Sequence, residues 1–356
     1  MKKAMKLMKL INKYKLWILA LIIITVLVYY FRKTIKKKEE TTQPYGKMQK
    51  AYEKPENQTN FLSINSGDPR YHNKTYNMLY NYIILGSYNS CCDDNHKVTL
   101  ANLKTIIKLG ARVLDFAIYT NTTNNQPVVA ESQDEKNYLP SEKPYINFED
   151  VLKTIKNTAL VNDITKCTNH EDPLFINLRI MSDKKEVLPN LAKLLKEHFQ
   201  NSLLSLSDVR WRESGKHTMN EQLVLQPITN LINKVIIIVH QRNKNYKDSK
   251  LGKLANFSAD SYRQLKVYKN IDIVQATDIN EKKNEAKQSE ILVSPDYSTY
   301  NKNVNSKMCY NAGFQLVLVN LSDPTEKNAR DAINYFKKYQ KAIVLKPVGL
   351  RYVPEC

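Results

Sequence analysis

Cysteine is sparse in these 356 residues: Cys91, Cys92, Cys167, Cys309 and Cys356 include one adjacent pair and no metal-ligand spacing. So odd and scattered a set argues against a disulfide scaffold and is neutral about compartment. Internal repeats are lacking too. The chain also has no concentrated basic stripe with interleaved aromatics, so nucleic acid is not an expected partner despite a net charge of +19. About half of that charge sits in the first forty residues, where eleven basic side chains face two acidic ones. The rest is spread thinly, as on a solvated surface.

What the N-terminus does have is a long uncharged run, residues 16–31 (LWILALIIITVLVYYF), with Trp17, Tyr29 and Tyr30 at its edges. Lysines from Lys2 to Lys15 precede it, and Arg32, Lys33 and Lys36–Lys38 follow. As a helix it would cover about 24 Å, a little short of a hydrocarbon core of about 30 Å, and snorkelling of Lys15 and Arg32 can close the gap. A cleaved signal peptide is the rival reading. No small-x-small cleavage site follows the run, and basic residues come directly after it. An uncleaved transmembrane helix is therefore predicted within residues 1–38. Cations flank both sides, so its orientation is left open.

Residues 39–75 are polar and proline-dotted and read as a stalk or linker. From 76 to 356 the pattern alternates strand and helix. Short apolar runs predict strands at 82–85, 112–117, 127–130, 174–180, 234–240, 271–274, 315–320 and 342–345. Amphipathic stripes predict helices over 99–109, 148–159, 187–199 and 325–339. Eight strands alternating with helices imply an α/β fold, a single (β/α)8 TIM-like barrel. The least regular stretch, about 241–290, reads as a variable charged linker.

The strand segments carry more than periodicity. The runs 82–92 (YIILGSYNSCC), 110–119 (GARVLDFAIY), 127–132 (PVVAES), 173–182 (PLFINLRIMS), 310–320 (YNAGFQLVLVN) and 342–352 (AIVLKPVGLRY) resemble, in order and wording, the catalytic barrel of the phosphoinositide-specific phospholipase C family. The resemblance covers roughly 81–352. It implies a barrel whose site holds two histidines for acid–base work and a calcium ion bound by one Asn and three carboxylates, at the C-terminal ends of the strands.

Matched position by position, the framework persists and the chemistry does not. The family's Ser-His-Asn-Thr aligns with Ser87-Tyr88-Asn89-Ser90, so Tyr88 stands for the first histidine while the calcium-ligand position Asn89 remains. A phenol, with an ordinary pKa of about 10, is a poor general base at neutral pH. On the second strand Asp115 keeps one carboxylate and Ala117 replaces another. Glu131 replaces the second histidine, and Arg179 puts a guanidinium where a calcium-binding carboxylate belongs. The two headgroup lysines become Ile238 and His240, and the headgroup loop corresponds loosely to 298–304 without its arginine. Asn89, Arg112 and His240 are the positions expected to meet a bound headgroup. With Asn89 and Asp115 the only vestiges of the ion site, neither calcium nor any other cofactor is expected.

Two functions follow from this pattern. The first is a catalytically inactive pseudoenzyme, anchored in a membrane by one N-terminal helix, with Arg179 and Asp115 paired inside the barrel. Its role would be binding or structural. Partners would be membrane lipids, met through the helix and its basic flanks, or a protein in a membrane-associated assembly such as a virion or organelle surface. The alternative is a metal-independent phosphoric diester hydrolase, in which Arg179 takes the place of calcium and Glu131 is the general acid.

Overall fold

In the computed structural model most of the parallel strands are buried on both faces, which suits uninterrupted apolar runs rather than alternation. The structure describes residues 23–29, 46–64, 71, 77–93, 97–131, 144–205, 223–241, 246, 248–258, 265–296 and 303–352. The chain divides into two units, Met1–Pro44 and Tyr45–Cys356. In the first, residues 23–29 are helical, with Ile23, Ile24, Val26, Leu27, Val28 and Tyr29 exposed. Among the described residues no helix is long and apolar enough to cross a membrane. The anchor expected within 1–38 lies outside them apart from that short stretch.

Among the described residues the second unit holds eleven strands: β1 (Tyr82–Ser87), β2 (Val113–Thr120), β3 (Pro127–Ala130), β4 (Tyr145–Asn147), β5 (Leu174–Ile180), β6 (Val235–Gln241), β7 (Phe257–Ser258), β8 (Leu265–Lys269), β9 (Glu290–Ser294), β10 (Leu316–Val319) and β11 (Ile343–Leu345). Eight of them run parallel in the order β7-β6-β5-β2-β1-β10-β9-β8. With helices between them, they make a TIM-like α/β barrel sheet. Strand parity sorts its core. Ile84, Val113, Phe175, Ile236, Ile238, Leu292, Leu316 and Leu318 fill the inside. Leu85, Leu114, Ile176, Ile237, Val293 and Val317 face outward and pack against the helices.

The helices form where their stripes predict. Leu100–Lys108 starts at Thr99, whose side chain accepts from the Asn102 N–H at 3.1 Å. Phe148–Ala159 and Val187–Phe199 match the predicted limits, and Lys327–Tyr339 begins two residues late because Glu326 caps it. The first of these ends against Gly110, whose φ of +85° is open to glycine and strained for other residues.

Five sequence expectations differ from the structure. The run 127–130 is a strand, but it lies antiparallel to β2 and forms a hairpin with β4 outside the parallel set. The run 342–345 likewise gives β11, antiparallel to β1. Residues 271–274 belong to a helix, Asn270–Val274, because the Ile271 N–H is taken by Asp296 Oδ1 at 2.9 Å and the Lys269 N–H by Asp272 Oδ2 at 2.7 Å. The missing parallel strands β7 and β8 lie inside the supposed linker, and β9 begins at its last residue. The supposed stalk is also partly integral, since Met48, Tyr52, Phe61, Ile64 and Tyr71 are buried in the second unit's core. Tyr52 fastens this segment by donating to the Leu321 carbonyl at 2.7 Å.

Candidate functional site

The C-terminal ends of β1, β2, β5 and β6 bring together most of the residues singled out from the sequence. Parallel register places Asp115 beside Asn177, and Ala117 beside Arg179 and, one strand further, His240. By the period of two, Asp115, Ala117, Asn177, Arg179, Ile238 and His240 all face inward. Arg179 sits one inward row above Asp115 and reaches back toward the base of the barrel. Its Nε donates to Asp115 Oδ1 at 2.9 Å and its Nη2 to Oδ2 at 2.8 Å. Both side chains are buried.

Further contacts fix this pair. Asn177 Nδ2 donates to Asp115 Oδ1 at 2.7 Å, and the Asn89 backbone N–H donates to Oδ2 at 2.9 Å. Arg179 Nη2 also donates to Asn89 Oδ1. Asn89 has a φ of +44°, a left-handed conformation that asparagine tolerates better than most residues. Ser90 closes the turn: its hydroxyl accepts from the Asp115 N–H at 2.9 Å and donates to the Ser87 carbonyl at 3.1 Å. The Tyr88 ring lies under the guanidinium, 4.5 Å from Cζ to the ring centroid. Tyr88 thus serves as a platform for Arg179.

Glu131 follows the antiparallel β3 and is buried. Its charge bears on the thiol of Cys92, as do those of Asp115 and Arg179, so it belongs to the same end of the barrel. Burial pushes the Cys92 thiol well above its ordinary range, with Glu131 the next contributor, which makes it an inert group. His240 is half-buried. Burial, then the charges of Lys269 and Arg179, push its pKa down to about 4. Lys269, at the end of β8, donates to Ser294 Oγ at 3.1 Å on β9.

Arg112 is a correction. It precedes β2, at the opposite end of the barrel, and is fully buried. Its guanidinium donates to the carbonyls of Pro173 and Ala159 at 3.3 Å each and to that of Asp172. It is a structural tie between helix and strand, unable to reach a ligand at the mouth. The loosely matched headgroup loop, 298–304, is described only from residue 303.

Asn177, Cys92 and Lys269 were not among the sequence-derived site residues. Asn177 was within reach, since it lies two residues before Arg179 on the same inward face. Lys269 was hidden because its strand falls in the charged stretch that showed no period.

The fold is that of the phospholipase-C-type barrel. Among solved structures the chain is similar to PLC21 of L. pealei, with a TM-score of 0.60, 15% identity and coverage of 82% of this chain and 39% of that one. It is similar also to PLC21 of S. officinalis, with a TM-score of 0.60, 14% identity, and 79% and 38% covered. It thus spans about two fifths of the length of those proteins, and at such identities the likeness is one of fold. No family model matches the chain, and no curated protein matches it in sequence.

Calcium, the ion that such a barrel implies, does not fit the residues present. Both oxygens of Asp115 and the Oδ1 of Asn89 already accept hydrogen bonds, and a guanidinium stands where another oxygen donor would be needed. A hard cation requires six to eight oxygens and no adjacent fixed positive charge.

Proposed function

We propose that this chain is a membrane-anchored phospholipase-C-like protein that has lost catalysis and acts by binding or as a structural component at a membrane or membrane-associated assembly. The observation that carries this reading is the buried Arg179–Asp115 pair, which occupies the place of the ion with a cation of the protein's own. Two further features support it. Tyr88 is engaged as the ring beneath Arg179 rather than set out as a base. His240 is held neutral down to about pH 4 and adds no positive charge for a phosphate. Anchoring rests on the uncharged run 16–31 and its basic flanks, which also favour anionic lipids.

The test is to purify the full chain and assay it on phosphatidylinositol and glycerophosphoinositol, with and without calcium, alongside binding to liposomes containing anionic lipid. No turnover together with liposome binding is the expected result. Turnover abolished by Glu131→Gln or Arg179→Ala would overturn the reading in favour of the metal-independent diesterase.

A further inference from the structure

Three helices stand side by side on the outer wall of the barrel: Ile279–Gln288, Ser306–Ala312 and Lys327–Tyr339, the second in contact with both others. The second and third follow β9 and β10, so both start at the mouth end. Where the first turns of all three meet they leave a groove of about 430 Å³. Its walls are tied in place. Ser306 Oγ donates to the Asn328 carbonyl at 2.7 Å, and the Asn305 N–H donates to Asn270 Oδ1 at 2.8 Å. Asn305 Oδ1 in turn accepts from the Met308 N–H at 3.1 Å.

The charge around this groove is one-sided. Lys283, Lys307 and Lys327, one from each helix, line it, and Asp331 is the one carboxylate among its described lining residues. Lys283 Nζ donates to a neutral group, Asn280 Oδ1 at 3.4 Å. Among the described residues Lys307 and Lys327 form no ion pair. Glu326, next to Lys327, is engaged elsewhere: its Oε1 accepts from Asn328 Nδ2 at 3.0 Å, and its Oε2 from the Ala329 N–H at 2.8 Å and Asn303 Nδ2 at 2.9 Å. Lysines nearby but outside the groove are matched, since Lys266 and Lys282 both pair with Glu285. Gathering three unmatched ammonium groups around one concavity costs repulsion that an evenly mixed surface avoids.

The rest of the lining is of another kind. Met308, Ile279 and Ala312 supply apolar surface, and the first two are only partly covered by the core. Methionine adapts to varied apolar shapes.

We propose that this groove docks an extended acidic segment of a partner protein, with one apolar side chain on Met308 and Ile279 and flanking carboxylates on Lys283, Lys307 and Lys327. Charge complementarity selects the sign of the partner. The apolar surface selects a peptide over a membrane, because a flat bilayer would meet the lysines and leave the concavity unfilled. A lone phosphate fits less well, since the ammonium groups come from three separate helices and no arginine fork is among the described lining residues. This docking is independent of whether the mouth retains chemistry.

The experiment titrates the full chain, in neutral detergent, into the fluorescein-labelled peptide Asp-Glu-Asp-Leu-Asp-Glu-Asp and follows its anisotropy. Saturable binding that weakens as salt rises is expected. Lys307→Glu combined with Lys327→Glu should weaken it about tenfold or more, because two attractions become repulsions. Both side chains are exposed, so the exchange leaves the fold intact. Lys104→Glu combined with Lys108→Glu, exposed on the helix Leu100–Lys108, is the control and should leave affinity within about threefold at physiological salt. A peptide with serine in place of leucine should bind about fivefold more weakly or worse. No saturable binding up to about 100 μM chain, or equal losses in the two lysine pairs, would overturn the proposal. Equal affinity for the serine peptide would overturn it too, because the groove would then read charge alone, as a lipid surface offers.

Discussion

Arg179 and Asp115 stand on neighbouring parallel strands one inward row out of register, yet meet in a two-point contact of 2.9 and 2.8 Å. The residue level with Arg179 is Ala117, whose small side chain leaves room for the guanidinium to fold back over Asp115. Loss of one carboxylate and gain of one arginine are thus a single steric and electrostatic arrangement. Removing either partner alone strands a buried charge.

Arg179→Met and Asp115→Asn should each therefore destabilise the fold by about 3–5 kcal/mol. Asp115→Asn combined with Arg179→Met should lose far less than the sum, because no uncompensated charge is left behind. Urea unfolding of the four proteins measures the coupling. Additive losses would show that the two side chains do not act as a pair.

Arg112→Ala should lose about 3 kcal/mol or more of stability, because three buried carbonyls surrender their charged donor. Binding at the mouth should be unchanged in whatever fraction remains folded. Weakened liposome or ligand binding at unaltered stability would return Arg112 to the site.

Gly86→Ala tests how closely β1 and β10 approach. An added Cβ would lie 2.6 Å from the Val317 carbonyl oxygen, which is backbone in the paired strand and cannot swing aside. A loss of about 1–3 kcal/mol is expected in the same unfolding measurement. A neutral effect would mean that these strands sit further apart.

His240 should titrate near pH 4 by NMR, below the ordinary imidazole value. Its folded pKa lies under its unfolded one, so it contributes stability above about pH 6.5 that is lost as pH falls through 4. Lys269→Met should raise the midpoint, since that ammonium is the largest charge opposing protonation. A midpoint near 6.5 in the native chain would place His240 in open solvent.

Much of the fold was legible because the relevant interactions are local. The stripe Phe148, Val151, Leu152, Ile155 and Ala159 predicted a buried helix face, and all five are buried. The runs 174–180 and 234–240 predicted β5 and β6 to within a residue. Short β7 and the mixed strand β8 were not legible, because two residues, or five interleaved with lysine, carry no period above their surroundings. Nor could a sequence pattern give strand direction. The runs 127–130 and 342–345 read as strands like the others, and only their partners make them antiparallel. The buried residues of 45–75 are spaced too widely to mark an element, so a segment that docks on the core looked like a tether.

For the site, the inventory was readable residue by residue: Tyr88, Asn89, Asp115, Glu131, Arg179 and His240, with the acid–base histidines gone. Strand period alone also puts an arginine and an aspartate on the same inward face. That they touch, that Asn89 and Asn177 complete the ring, and that Arg112 stands at the other end follow from the folded barrel. Arg179 and Asp115 are 64 residues apart, and Arg179 and Asn89 are 90. Contacts at such separations are set by sheet register and by the reach of a side chain across it, neither of which is written in local sequence.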